Sequence, residues 1–99
     1  MRLYTTLVFD EMPEGWIPTG TYCMTGGRLP KPERMKAGDT AILKSEDIPV
    51  LVKVTDVNGS DFAGQVAEFE GYEGNTLDGC EVGDTVRFSI RHVEGWIGG

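Results

Sequence analysis

The chain of 99 residues has little of the chemistry that metal sites and disulfide frameworks need. It holds two cysteines, Cys23 and Cys80, and one histidine, His92. No C-x-x-C pair or comparable spacing connects them, so we expect no metal site and no cofactor. Nothing indicates export to an oxidising compartment, and we expect both cysteines to be reduced, buried thiols. For His92 we expect a structural role at the end of a strand.

Long apolar runs are also missing. A transmembrane helix needs about 20 apolar residues in succession, and the runs in this chain are much shorter. Residues 7–9 are too short for the apolar core of a signal peptide, and Asp10 and Glu11 follow at once. We therefore expect a cytoplasmic protein without a membrane partner.

The familiar catalytic motifs are absent. The chain has no G-x-S-x-G, H-E-x-x-H, Walker or G-x-G-x-x-G sequence. Spacing singles out no pair among its 16 carboxylates as catalytic. This absence favours a function based on binding over an enzymatic one.

Basic residues are few and clustered. The chain carries 9 Lys and Arg against 16 Asp and Glu, for a net charge of −7. Four of the bases lie within residues 28–36, namely Arg28, Lys31, Arg34 and Lys36. This balance argues against nonspecific nucleic-acid binding, which depends on Lys and Arg to neutralise phosphates. The cluster either orients a partner during encounter or neutralises carboxylates of this same domain.

Acidic residues dominate the second half of the chain. No base lies between Lys53 and Arg87, and the eight acids there are Asp56, Asp61, Glu68, Glu70, Glu73, Asp78, Glu81 and Asp84. The stretch is either a solvated surface that keeps a small domain soluble or an acidic face that meets a basic partner. A third interpretation is an acidic inhibitor of phage type that imitates nucleic acid, which requires these carboxylates to share one surface.

A Gly-Asp pair followed by an alternating apolar and polar run occurs twice, at Gly38-Asp39 and at Gly83-Asp84. Each pair predicts a turn that leads into a short strand. Glycine accepts the positive φ that such a turn needs, and the aspartate accepts hydrogen bonds from backbone N–H groups just ahead of it. With 14 glycines in all, the chain is typical of a small all-β domain.

The pattern along the chain predicts one domain, residues 1–99, with long N-terminal loops at 10–21 and 26–36. A further loop is expected at 69–79. The predicted strands are 3–9, 21–25, 40–45, 50–55, 62–67 and 85–91. Five to six short strands indicate a strongly bent sheet or an SH3-like barrel, because an open sheet exposes two edges.

The hairpin at Asn58-Gly59 allows a prediction of register. A two-residue loop at these positions would place Val52 opposite Gln65, which mismatches the faces. We therefore predict a three-residue loop, 58–60, with a bulge near Gly59. The predicted pairs are Val52 with Val66, Val54 with Gly64 and Asp56 with Phe62. The centre of the core is predicted to be Val52, Val54, Val66, Val86, Phe88 and Ile90.

Two tryptophans, Trp16 and Trp96, stand in nonregular segments. They either plug the ends of a small barrel or form a recognition surface with Tyr72 and the basic cluster, because Trp, Tyr and Arg dominate interface hot spots. Trp16 and Ile17 are also predicted to anchor their loop to the core.

The second half of the chain resembles a family of small bacterial domains of unknown function. The similarity rests on the run 52–57 (Val-Lys-Val-Thr-Asp-Val), the run 83–88 (Gly-Asp-Thr-Val-Arg-Phe), His92 and Trp96. It covers about residues 50–96. The resemblance implies a β-rich fold and a bacterial or phage origin, and it implies no particular activity.

These observations favour a non-catalytic, cytoplasmic protein-interaction module. The basic cluster at 28–36 and the acidic stretch are its expected poles. The alternative is a small-ligand-binding protein or enzyme with a pocket between loops 10–36 and the barrel. A deep pocket with convergent polar groups would favour the alternative.

Overall fold

The computed structural model describes residues 8–24, 27–31, 34–71, 74, 76–77 and 79–98. In this part of the chain the fold is all-β, as the sequence predicted. Its strands are β1 (Thr19–Met24), β2 (Gly27–Lys31), β3 (Thr40–Ser45), β4 (Ile48–Asn58), β5 (Asp61–Phe69), β6 (Thr76–Leu77), β7 (Cys80–Glu81), β8 (Thr85–Ser89) and β9 (Gly95–Gly98). A 3₁₀ helix, Ile90–His92, follows β8.

Seven of these strands form one sheet in the order β2-β1-β9-β3-β4-β5-β8. Neighbouring strands are antiparallel except for β1 and β9, which are parallel. Strands β6 and β7 form a separate two-stranded ribbon. In the described part of the chain the sheet is open, with β2 and β8 at its edges, so the closure expected of an SH3-like barrel is not observed there.

The core lies on one face of the sheet. Across four neighbouring strands, Val66, Val52, Ala41 and Trp96 stand in register on this inner face, and all are buried. The described chain has no α-helix to cover such a face, so the sheet must bend around its own side chains to exclude water. Gly20 continues the row on β1, and a Cβ at this position would lie 2.2 Å from Cε2 of Trp96. Glycine is therefore required where the indole packs.

The two Gly-Asp turns have the same geometry. Gly38 and Gly83 both have a φ of +98°. The carboxylate of Asp39 accepts a hydrogen bond from the backbone N–H of Lys36 at 3.0 Å. Asp84 accepts one from the N–H of Glu81 at the same distance. These contacts confirm the predicted roles of glycine and aspartate.

Each Gly-Asp turn also holds the backbone of a core valine. Gly38 donates its N–H to the carbonyl of Val54, whose own N–H is donated to the carbonyl of Asp39. Gly83 and Asp84 hold Val66 in the same way. The two turns therefore attach to the two longest strands, β4 and β5.

The register of the β4–β5 hairpin was predicted in part. Val52 pairs with Val66 and Val54 with Gly64, as expected. The predicted loop and bulge were wrong: the loop is Gly59-Ser60, and the extra residue is Thr55. Gly59 has a φ of +64°, which suits the first central position of a type II′ turn. The bulge thus corrects the register inside the strand and leaves the tight turn intact.

A type I′ turn joins β3 to β4. Its central residues, Glu46 and Asp47, have φ values of 50° and 68°, which non-glycine residues rarely adopt. Both backbone N–H groups are donated to the carboxylate of Asp10, at 3.2 and 3.1 Å. Asp10 therefore stabilises the strained turn and fastens the segment around Phe9 to the sheet.

Three predictions about loops and strand ends were wrong. Residues 27–31 form β2, an edge strand in which Pro30 is tolerated because an edge residue does not need both ladder bonds. The tail around Trp96 is β9, which inserts between β1 and β3. The predicted loop at 69–79 contains β6. Of the predicted strand 3–9 only Val8 and Phe9 are described, and they belong to no strand.

Five of the six predicted core residues are buried: Val52, Val54, Val66, Val86 and Phe88. Ile90 is not, since 37% of its surface is exposed. The alternation stops after Ser89 because the chain turns into the 3₁₀ helix there, and Val93 occupies the buried position instead.

Replacing Phe88 by alanine should lower the free energy of unfolding by about 3–5 kcal/mol. Phe88 is 5% exposed, stacks on Phe62 with ring centroids 5.6 Å apart, and meets the edge of Phe9 at 6.2 Å. Val82→Ala, at a position 44% exposed, is the control and should change stability by less than about 0.5 kcal/mol. Denaturant melts of both variants measure the difference. Equal curves would place Phe88 outside the core.

The matched Gly-Asp turns allow a paired test of burial. Asp39→Ala should cost about 1–3 kcal/mol, because it removes a buried carboxylate that accepts the partly buried backbone N–H of Lys36. Asp84→Ala should cost less, because Asp39 is only 2% exposed whereas Asp84 is partly open to water, which can replace the carboxylate. Urea denaturation of the two variants compares them directly. A larger loss for Asp84→Ala would contradict this ranking.

Candidate functional site

A cleft of about 540 Å³ lies where β4, β5 and β8 end. Its wall comes from two cross-strand rows on the outer face of the sheet. In one, Ala63 stands between Asp56 and Arg87. The methyl group of Ala63 is too short to fill the gap between its long neighbours, which leaves a depression.

The second row contains Asn58, Asp61 and Ser89. Side chains directly opposite or diagonal on one face of antiparallel strands lie about 4.5–8 Å apart. Asp56, Asn58 and Asp61 therefore present two carboxylates and an amide to the same depression. Neither carboxylate forms an ion pair with a residue in the described ranges, whereas Thr55 donates its hydroxyl to Asp56 at 3.4 Å.

His92 closes the end of the cleft. Its Nδ1 accepts a hydrogen bond from the backbone N–H of Ser89 at 3.1 Å and lies 3.2 Å from the Ser89 hydroxyl. Because Nδ1 is an acceptor, the neutral ring carries its proton on Nε2. Burial is the main cause that lowers the pKa of His92, with a further lowering by Arg91 and an opposing effect of Glu11. His92 thus holds the 3₁₀ helix closed, which is a structural role.

Ser89 and His92 are not arranged as a nucleophile and its base. The Nδ1 atom that faces the Ser89 hydroxyl already accepts the Ser89 N–H, so it is poorly placed to remove the hydroxyl proton. The apolar residues Phe62 and Phe88 also line the cleft. Two carboxylates against one guanidinium leave the cleft net negative while His92 is neutral.

A second depression of about 410 Å³ lies beyond the 3₁₀ helix. It separates residues 11–16 from Ile90 and Arg91. Trp16 lines it and is 48% exposed, and its indole N–H is donated to the carbonyl of Glu94 at 3.0 Å. Ile17 is 82% exposed and does not anchor the loop to the core as predicted, whereas Trp16 attaches the loop to the backbone of Glu94.

The two predicted tryptophans differ in their exposure. Trp96 is buried in the core at 7% exposure, which makes it unsuited to a recognition surface. Its Nε1 has no hydrogen-bond partner among the described residues. Trp16 lies at the surface, and Tyr72 is outside the described residues.

The basic cluster divides between a strand and a loop. Arg28 and Lys31 belong to β2, at the edge of the sheet, and their side chains are outside the described part of the structure. Arg34 and Lys36 are exposed. Whether the cluster serves a partner or the domain itself stays a prediction.

Sequence reasoning missed the cleft because its members come from three strands and a 3₁₀ helix. The available signal was the alternation within each strand. It places Asp61 and Ala63 on one face of β5, and Arg87 and Ser89 on one face of β8. Joining the two sets requires the pairing of these strands. The 540 Å³ cleft therefore lies away from the predicted position between loops 10–36 and the sheet, whereas the depression beside Trp16 borders the first of these loops.

Searches against protein families, curated proteins and solved structures find no match. The fold and the cleft by themselves define the class: a small all-β domain with a shallow, net-acidic depression at one end of its sheet.

No helix in the described residues is long and apolar enough to cross a bilayer. Within the same residues no cluster of His, Cys, Asp and Glu is arranged to hold a metal ion. Cys80 is buried.

The lowered pKa of His92 makes a prediction about stability and pH. In the unfolded chain the ring binds a proton near its usual value of 6.5, and in the folded protein it does so only at lower pH. Below pH 6.5 the unfolded state therefore binds more protons, and folding stability falls as the pH is lowered. His92→Asn retains a hydrogen-bond acceptor without titrating near neutrality.

Denaturant melts at intervals between about pH 8 and about pH 5 measure the difference between the wild type and His92→Asn. We expect the difference in the free energy of unfolding to be constant near the upper end of this pH range. As the pH falls, the wild type should lose stability relative to His92→Asn. A difference independent of pH would contradict the burial of His92.

Proposed function

We propose that this protein is a non-catalytic interaction module whose acidic cleft binds a basic segment of a protein partner. The observation that carries the proposal is the convergence of Asp56, Asn58 and Asp61 on one depression. Their carboxylates have no ion-pair partner in the described ranges, so binding a cation breaks no existing ion pair of theirs. An ammonium or guanidinium group is the chemistry that such a site fits.

The distribution of charge supports the same conclusion. The outer face of the β4–β5 hairpin carries three carboxylates, those of Asp56, Asp61 and Glu68. Farther along the chain, Glu70 and Glu81 are also exposed. With a net charge of −7, the domain attracts basic partners over a distance of about one Debye length, roughly 8–10 Å. Arg28 and Lys31 lie on β2, at the other end of the strand order. This separation supports the proposed poles, which would orient the partner during encounter.

The shape of the cleft favours a peptide segment over a small metabolite. The cleft is partly open to solvent, whereas sites for small molecules enclose most of the ligand surface. The acidic face also remains compatible with imitation of nucleic acid, although the described carboxylates extend over several elements.

A titration with a lysine-glycine repeat peptide tests the proposal. Amide resonances of Asn58, Asp61 and Ser89 should shift in a saturable manner, and added salt should weaken the binding. Replacing both Asp56 and Asp61 by asparagine should weaken it about 3- to 10-fold, because each exposed charge pair contributes about 0.2–1 kcal/mol.

The matched control is the double variant Glu70→Gln with Glu81→Gln. It removes the same charge at exposed positions outside the cleft, so it should retain most of the affinity. Equal weakening by both double variants would mean that only the net charge attracts the peptide, and the proposal would be wrong. Shifts spread evenly over the surface would lead to the same conclusion.

A further inference from the structure

We infer that the groove beside Trp16 is a separate binding site for an arginine side chain of a protein partner. This inference deepens the proposed function, since the partner there is basic, and rests on it for the nature of that partner. It does not require the cleft. The groove is lined by Glu11, Glu14, Trp16, Ile90 and Arg91, together with the short loop between them.

The indole of Trp16 is held in place by a chain of contacts to the sheet. Its Nε1–H is donated to the carbonyl of Glu94 at 3.0 Å. Glu94 in turn donates its backbone N–H to Ile42 of β3, and its carboxylate contacts the ammonium of Lys44 at 2.9 Å. With its only polar atom satisfied, the half-exposed ring offers an apolar, electron-rich π face to the groove.

Hydrogen bonds also fix the loop of residues 12–16, which lines the groove together with the indole. The N–H of Met12 is donated to the carbonyl of Arg91 at 2.9 Å, and the N–H of Trp16 to Pro13 at 3.0 Å. Gly15, with a φ of +83°, occupies the third position of this tight turn, where a type II turn requires glycine. The groove therefore exists before any ligand binds, which lowers the entropic cost of binding.

The charge of the groove determines its occupant. Glu11 and Arg91 form an exposed ion pair at 3.8 Å, a kind of pair that is weak in water. Glu14 is exposed and makes no ion pair with a described residue. Tryptophan is the aromatic residue whose face attracts cations most strongly, and within the described chain no basic side chain stacks on it.

Arginine fits this combination better than lysine. Its guanidinium is planar and weakly hydrated, so it stacks on an indole while its edge donates hydrogen bonds to carboxylates at either side. Glu11 and Glu14 provide those carboxylates. An uncharged side chain of the same shape would have only the apolar contact with Trp16 and Ile90.

The test compares two capped tripeptides, Gly-Arg-Gly and Gly-citrulline-Gly, in a nuclear magnetic resonance titration. Citrulline has the shape of arginine without its charge. The arginine peptide should shift the indole N–H resonance of Trp16 in a saturable manner, and the citrulline peptide should bind about 3- to 5-fold more weakly. The indole of Trp96, which is 7% exposed, should not respond and reports that the fold is intact.

Variants locate the site. Trp16→Leu and Glu14→Gln should each weaken binding of the arginine peptide, whereas Ile17→Ala, at the neighbouring exposed position, should leave it unchanged. In Trp16→Leu, which lacks the Trp16 indole, the backbone amide resonances of Gly15 and Arg91 report binding, and the Trp96 indole resonance verifies folding. Equal affinity for the citrulline peptide, binding unaffected by Trp16→Leu, or no shift of the Trp16 indole at the highest peptide concentration would each overturn the inference.

The same spectra separate this inference from the proposed function. The double variant Asp56→Asn with Asp61→Asn should leave the response of the Trp16 indole in place. A response at Asn58 and Asp61 with none at Trp16 would overturn only the groove. A response at Trp16 with none at the cleft would retain the groove and overturn the cleft.

Discussion

The two Gly-Asp turns are the constraint on which the arrangement of this sheet depends. Each turn binds both backbone groups of one central valine, Val54 on β4 or Val66 on β5. Because the next strand begins directly after the aspartate, this clamp determines where β3 and β8 lie beside the β4–β5 hairpin. The position of β8 in turn brings Arg87 and Ser89 beside Ala63 and Asp61, and so creates the cleft.

The bulge at Thr55 links the core to the surface. Without it, the register of Val52 with Val66 would continue and place Asp56 opposite Phe62, on the inner face. The extra residue moves Asp56 opposite Ala63 and allows the valines to remain buried. Gly64 lies beside the bulge, where a Cβ would be 2.3 Å from the carbonyl oxygen of Lys53. The bulge that keeps the valines buried therefore also places the carboxylate of Asp56 in the cleft.

The 3₁₀ helix has a comparable double role. It ends the alternation of β8 and is held closed by the contact of His92 with Ser89. Ser89 and His92 line the cleft, whereas Ile90 and Arg91 line the groove beside Trp16. Neighbouring residues of one short element therefore border both depressions.

The local pattern of the sequence was sufficient for the parts of the fold that depend on near neighbours. Alternation predicted β3 with its observed bounds and five buried core residues, and the Gly-Asp pairs predicted turns with positive φ. These features follow from side-chain parity and from the conformational freedom of glycine, which act over a few residues.

Only the tertiary structure decided the features that depend on strand pairing. Residues 27–31 and 95–98 carry little alternation of their own, and they are strands because β1 and β3 supply their hydrogen-bond partners. The outward position of Asp56 depends on a bulge that balances burial of the valines against a tight turn at Gly59. The sequence by itself determined the all-β class and the acidic character, because these depend on composition and local parity. The cleft required the register of three strands, because its residues are distant in the chain and meet only across the sheet.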